Sequence, residues 1–250
     1  MKLPKVLILA FFGMMLFSFT ACNKDAKPGN VTIYLDHNVA GKALVFDEMN
    51  YTSKAGHPFQ VSRLRYYISN VKLHQADGTT FEMEGVHYRN AKEEDTRTLI
   101  LKDIPAGDYN KITFTYGLDE NTNVDGGLEN TQTNIGMEWP IPGDHGYHYM
   151  KFEGKYDSNG SGTIKNFNLH TGATKGNQNY INMSLDLPTV KIDDNNWDIH
   201  LDMDLNQWLE NPNTWDFDEF GPMIMMNQTA QEVLKANGAT VFKIGNVEKK

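Results

Sequence analysis

Eight histidines and, of twelve methionines, nine lie beyond residue 22, and imidazole and thioether are the side chains that soft metal ions prefer. Their positions matter more than their number. His170 closes a run whose one face reads Ile164, Asn166, Asn168, His170, with Gly172 following at a turn, so its imidazole sits at a strand end. His37 follows Val31, Ile33 and Leu35 at period two and falls on an apolar face, where an imidazole is either a partnered core residue or a ligand. His148 shares a face with Met150 and Phe152 and carries the same two readings; Met150 beside it suits copper or fills a core. His200 stands among Asp198, Asp202 and Asp204, opposite Trp197, Ile199, Leu201 and Met203, a face that holds a cation or is simply wet. His57, His74, His87 and His145 fall in turns or polar stretches and rank low as ligands.

Nucleophilic chemistry has little to stand on. Cys22 is the only cysteine, no Gly-x-Ser-x-Gly elbow occurs, and the Gly-Ser run Ser158 to Gly162 lies between two strand patterns, which makes it a hairpin turn rather than a phosphate cradle. Asp119 and Glu120 are adjacent acids in a loop, where carboxylates are usually just solvated. Sandwich folds do host glycosidases, yet no carboxylate pair can be picked from this sequence. The expectation is a binding protein, not an enzyme.

The elements that must position these side chains begin after a leader. Lys2 and Lys5 precede an apolar run from Val6 to Phe19, too short to span a bilayer comfortably, which closes on Phe19-Thr20-Ala21-Cys22. Small residues before a cysteine are what bacterial lipoprotein processing requires. Residues 1–21 therefore read as a signal peptide, Cys22 as the lipidated first residue, 22–30 as a polar tether and 31–247 as one domain. That places the protein in the cell envelope, held through lipid on Cys22 to the outer membrane and facing the periplasm or the surface. Nothing later in the chain is long and apolar enough for a transmembrane helix. The formal charge of −9 becomes −11 once Lys2 and Lys5 leave with the leader, a poor surface for nucleic acid.

Runs of alternating apolar and polar residues recur at Val31 to Val39, Leu64 to Leu73, Tyr109 to Tyr116, Tyr147 to Tyr156, Tyr180 to Leu187 and Trp197 to Leu205, separated by Gly, Asn, Asp and Pro. Burying so many faces calls for an all-β, antiparallel, immunoglobulin-like sandwich. Gly117 to Gly146 has no clean period and reads as a long loop. One short C-terminal helix, Thr229 to Ala236, runs into Asn237-Gly238, a left-handed stop, before a last strand at Thr240 to Ile244.

Four stretches go beyond generic patterning. Met137-Glu138-Trp139, followed after a Pro/Gly insertion by Gly146-Tyr147-His148-Tyr149-Met150-Lys151-Phe152-Glu153-Gly154, resembles the signature of the MbnP-like copper-binding family related to MopE, in its bacterial lipoprotein branch. Arg65 to Asn70, Tyr116 to Asp119 and Phe167 to Gly172 look like the same family in the same order. In studied members a tryptophan is oxidised to kynurenine, whose amine and carbonyl help histidines hold copper, and the oxidation depends on a haem partner of the peroxidase type. By resemblance, Trp139 is the candidate modified residue, His170 the first imidazole ligand, and His37 or His148 the second. The implied role is sequestration or hand-over of copper. A different class of function, an envelope module displaying loops to a glycan or protein, draws on the aromatic stretch Trp208 to Phe220, read as exposed.

Overall fold

The computed structural model describes residues 26–141 and 146–250. The leader, Cys22 and His145 lie outside the described residues. Thirteen strands are formed among them: β1 (Gly29–Val39), β2 (Lys42–Ala43), β3 (Tyr51–Thr52), β4 (Pro58–Gln75), β5 (Thr80–Glu82), β6 (Val86–Asn90), β7 (Thr98–Ile104), β8 (Gly107–Tyr116), β9 (His148–Asp157), β10 (Ile164–Gly172), β11 (Ile181–Ile192), β12 (Asn196–Asp204) and β13 (Phe242–Lys249). Helical turns α1 (Gln132–Ile135), α2 (Gln207–Glu210) and α3 (Phe217–Phe220) and the longer α4 (Gln228–Gly238) complete them.

The strands make the expected all-β sandwich. One sheet runs β13-β12-β1-β2, with β7 also paired to β1; the other runs β10-β9-β4-β8-β11, with β3, β5 and β6 also paired to β4. Every pair is antiparallel except β1 with β12, which run parallel over Asn30 to Asn38 and Asn196 to Asp204. The alternation read from sequence faces inward as it should: Val31, Ile33 and Leu35 of β1 meet Ile199, Leu201 and Met203 of β12 in the closed core. Each such fully buried side chain contributes about 1.5–3 kcal/mol of hydrophobic stabilisation.

β4 is the longest strand, and its alternation breaks twice. Its register against β9 shifts between Val61 and Arg63, and against β8 between Ser69 and Lys72. At the second break Asn70 takes a left-handed φ of 53°, a conformation that asparagine tolerates better than most residues. Tyr66, Tyr67, Ile68 and Ser69 are consequently all buried. Tyr66 and Ile68 belong to the core between the sheets, whereas Tyr67 packs with Leu118, Met137, Tyr147 and Tyr149 in a smaller apolar cluster beneath the 117–146 segment. Ser69 Oγ donates to the Gly117 carbonyl at 2.9 Å and Asn70 Nδ2 to Asp119 Oδ2 at 2.8 Å. Two of the four sequence stretches singled out above thus clamp each other and fix where the long loop begins.

Two expectations are corrected. α4 does not end on a left-handed glycine: the helix runs through Gly238, and the capping Ala239 has φ −66°. Gly238 is needed for space, because a Cβ there would lie 2.3 Å from Ile181 Cδ1 and 2.5 Å from the Trp208 ring. The stretch Trp208 to Phe220 is not an exposed platform either. Trp208, Trp215 and Phe217 are fully buried and Phe220 is half-buried, stacked on Trp215 at 4.2 Å between ring centroids. Aromatics at no regular spacing are compatible with either a surface or a core; here α2 and α3 turn them under the sandwich, and the stretch gives no support to a displayed recognition loop.

Candidate metal centre

β9 and β10 form a hairpin through Ser158–Gly160, as the Gly-Ser run implies, and their register places Gly154 opposite Phe167, Glu153 opposite Asn168 and Lys151 opposite His170. Just before β9 the chain doubles back. Trp139 N–H donates to the Gly146 carbonyl at 2.9 Å and His148 N–H to the Met137 carbonyl at 2.7 Å, so Met137 to Trp139 lies alongside Gly146 to His148. The two remaining family-like stretches are thereby brought together. Lys151 secures the approach by donating from Nζ to the Gly136 carbonyl at 2.8 Å.

Three of the four residues singled out in the sequence meet here. The His148 ring lies between the other two: its centroid is 4.7 Å from that of Trp139, tilted by 55°, and 5.0 Å from that of His170, edge-on at 90°. His148 and Trp139 are 2% and 6% exposed. His148 Nδ1 donates to the Met137 carbonyl at 2.9 Å, which leaves Nε2 as the acceptor, buried and without a partner. Trp139 Nε1 is likewise buried and unpartnered. An orphaned buried nitrogen normally costs about 1–3 kcal/mol, and the free acceptor on His148 fits a centre that takes a further group. Burial first, and then the positive charge of Lys151, holds the His148 imidazole down at about 3, so the ring is neutral and able to coordinate near pH 7.

His170 is oriented by a carboxylate. Its Nε2 donates to Glu153 Oε1 at 2.8 Å, and the Arg63 guanidinium grips both Glu153 oxygens at 2.8 and 2.7 Å. Burial pushes Glu153 up, but the hydrogen bonds from His170 and Arg63 outweigh it and keep the carboxyl at about 2. With Nε2 committed, Nδ1 is the lone pair left for a metal, the carboxylate–histidine arrangement common in metal sites. A metal–imidazole bond is about 2 Å long, and the two imidazole centroids lie 5.0 Å apart.

Two supporting residues escaped the sequence reading. Gln231, on the inner face of α4 and fully buried, donates from Nε2 to the His170 carbonyl at 2.8 Å and accepts at Oε1 from Gly172 N–H at 3.3 Å. A polar side chain at the helical spacing of buried Ala230, Leu234 and Gly238 was its one signal. Gly172 itself makes room for the indole, since a Cβ there would sit 2.5 Å from Trp139 Cζ3. Glu153 stands in the family-like stretch, but only the hairpin register reveals its partner.

The other candidates lie elsewhere. His37 is half-buried on β1 in the opposite sheet, its Nε2 hydrogen-bonded with the Tyr66 hydroxyl at 3.0 Å, and among the described residues no hydrogen bond or ring contact joins it to His148 or His170. Burial, aided by Arg89, lowers it to about 3. An unfolded chain takes up that proton near pH 6.5, the folded one only near 3, so this contribution to stability is complete above pH 6.5 and shrinks as the pH falls toward 3, by up to about 1.4 kcal/mol per pH unit. Thermal melts between pH 7 and 4 should show the decline, and His37→Gln should flatten it; an unchanged slope would refute the assignment. His200 is held by Asp36 and stacked on Tyr34, and Asp198 by Lys250. Asp119 caps the loop at Asn121 and Thr122, and Glu120 accepts from Tyr180. His57, Asp216 and Asp218 also cluster closely enough for an ion, yet both nitrogens of His57 and both oxygens of Asp218 already have protein partners.

Comparison with known proteins bears on the family and the fold. The model of the MbnP family matches residues 28–227. Among solved structures the chain is similar to MbnP from Methylosinus trichosporium, with a TM-score of 0.51 and 15% identity over 74% of this chain and 78% of that one; at such identity the likeness is one of fold. No curated protein matches the chain.

Proposed function

Because the chain belongs to the MbnP family, we propose that it is an extracytoplasmic copper-binding protein that sequesters or hands on copper at a centre formed by His148, His170 and Trp139. The observation that carries the reading is the pair of imidazoles, one with a buried, unpartnered Nε2 and the other aligned through Nε2 by Glu153, against an indole whose own nitrogen has no partner. Nitrogen ligands of this kind suit copper. Bound copper would supply a redox-active or storable ion; burial keeps the His148 imidazole neutral with its Nε2 lone pair free, and Glu153 orients His170. Trp139 as an indole packs against His148; oxidised to kynurenine, as in the studied members of the family, it would add an amine and a carbonyl at the same place. That conversion would call on a haem partner of the peroxidase type, and the leader ending at Cys22 supports delivery to the envelope as a lipoprotein.

Titration of the protein beginning at Cys22 with Cu(II), followed by electron paramagnetic resonance, and with Cu(I) in competition with a chromophoric chelator, tests the reading. One equivalent with nitrogen hyperfine structure is expected, and intact mass of protein from its native host reports the state of Trp139. A protein that takes up no copper in either state of Trp139 would overturn it. The carboxylate behind His170 gives a finer test. Glu153→Gln keeps the size of the side chain but weakens its hold on the imidazole N–H, and second-shell changes of this kind lower metal affinity by about 10–100-fold. Unaltered affinity in that variant would mean that His170 is not a ligand.

A further inference from the structure

Between α3 and α4 runs Pro222-Met223-Ile224-Met225-Met226. Its burial is inverted relative to what hydrophobic packing asks for. Ile224 is fully buried, whereas Met223 and Met226 are 72% and 60% exposed, the most exposed large apolar side chains among the described residues. After Met223 the chain turns through Met225 and Met226, Asn227 N–H donating to the Ile224 carbonyl at 2.9 Å, so exposed Met223 and Met226 and half-buried Met225 flank the buried Ile224 within four residues. Core filling, the usual role of methionine, does not account for them.

The backbone beneath these side chains is fixed to the strand that carries His170. Asn168 N–H donates to the Pro222 carbonyl at 2.9 Å, Met223 bridges Asn168, and Thr174 Oγ1 donates to the Met225 carbonyl at 3.2 Å. Gln231 Nε2, which bonds the His170 carbonyl, also reaches the Ile224 carbonyl at 3.3 Å. Three thioethers are therefore held on a pinned backbone along Asn168 to Thr174, the span that contains His170. Thioethers are soft, uncharged at any physiological pH and poor ligands for hard ions, which selects Cu(I) over the calcium and magnesium of an envelope.

We propose that Met223, Met225 and Met226 form a second, surface site for Cu(I), which captures the ion by thioether coordination and passes it inward to the imidazole centre. Capture stands on the methionines alone; the onward transfer rests on the copper reading of His148 and His170. Capture and transfer involve ligand exchange only, with no change of oxidation state.

The test uses protein labelled with 13C at the methionine methyls and titrated anaerobically with Cu(I). In a His148→Ala/His170→Ala variant, Cu(I) should shift the methyl signals of Met223, Met225 and Met226, leave those of buried Met150 and Met203 in place, and be lost on further replacement of the three by leucine. With both histidines present, the triple leucine variant should still fill the imidazole centre but more slowly than the parent. If the double histidine variant shows no shift at those three methyls, the surface site does not exist, whatever the histidines bind. If the shifts occur while the imidazole centre stays empty in every variant, the surface site stands and the function proposed above falls. If the triple leucine variant fills the imidazole centre at the parent's rate, the transfer role is overturned.

Discussion

His148→Ala should abolish tight copper retention while leaving the sandwich folded. Among the described residues the ring contributes the one buried imidazole nitrogen without a protein partner, so removing it deletes the proposed ligand outright and should cost more than the about 10–100-fold expected from disturbing a second-shell group. Folding should suffer far less. The Met137 carbonyl accepts from both His148 Nδ1 and the His148 backbone N–H, and in alanine the second of these bonds persists, so no acceptor is orphaned. Competition against a chelator of known affinity would measure the loss, with circular dichroism to confirm the fold. His37→Ala serves as the contrast, since His37 is spent on Tyr66 in the other sheet; it should keep its copper. A His148→Ala protein that holds copper as tightly as its parent would remove this residue from the centre, and equal losses in both variants would point to general loosening.

The reason three of four singled-out side chains converge lies in how the family-like stretches meet. Ser69 and Asn70 bind Gly117 and Asp119 at the start of the long loop, and Trp139 and Met137 bind Gly146 and His148 at its end. The loop is tied at both ends, and its far limb delivers the indole to the β9–β10 hairpin. Gly172 finishes the job by offering no side chain where the indole lies.

Much of this was legible in the sequence, for local reasons. Alternation located the principal strands because each has one dry face, and the hairpin at Ser158 to Gly162 followed from turn chemistry. That hairpin, counted out, also places Glu153 one diagonal step from His170; the information was present but needs the register to be used. Other features are written nowhere locally. The parallel pairing of β1 with β12 joins residues 166 apart, as in Asn30 with Asn196, and no periodicity encodes a partner at that distance. Alternation marks only ten of the eighteen residues of β4, Leu64 to Leu73, because three register shifts interrupt its pairing. Gly238 looked like a helix stop, since a glycine demanded by a neighbouring Trp208 and one demanded by a positive φ are identical in sequence.

Trp208 decides whether the aromatic stretch is core or display. The side chain is fully buried, its centroid 5.4 Å from that of Tyr116, and it fills the space that Gly238 leaves open on α4. Its carbonyl accepts from Asn237 Nδ2 at 2.9 Å, which pins α2 to α4 through the backbone and would survive a change of side chain. Trp208 Nε1 has no partner, so truncation to alanine loses packing rather than a hydrogen bond. Trp208→Ala should therefore cost about 3–5 kcal/mol, a large share of the 5–15 kcal/mol that typically separates folded from unfolded domains, and lower the melting temperature by on the order of 10 °C. Trp208→Phe should recover part of that loss by refilling some of the cavity. A loss below about 0.5 kcal/mol, the range of surface substitutions, would instead put the indole outside the core and revive a role for this stretch in binding a partner. The same cavity lies beside α4, whose Gln231 supports the His170 carbonyl, so copper affinity in Trp208→Ala should fall with stability, whereas His148→Ala should separate the two.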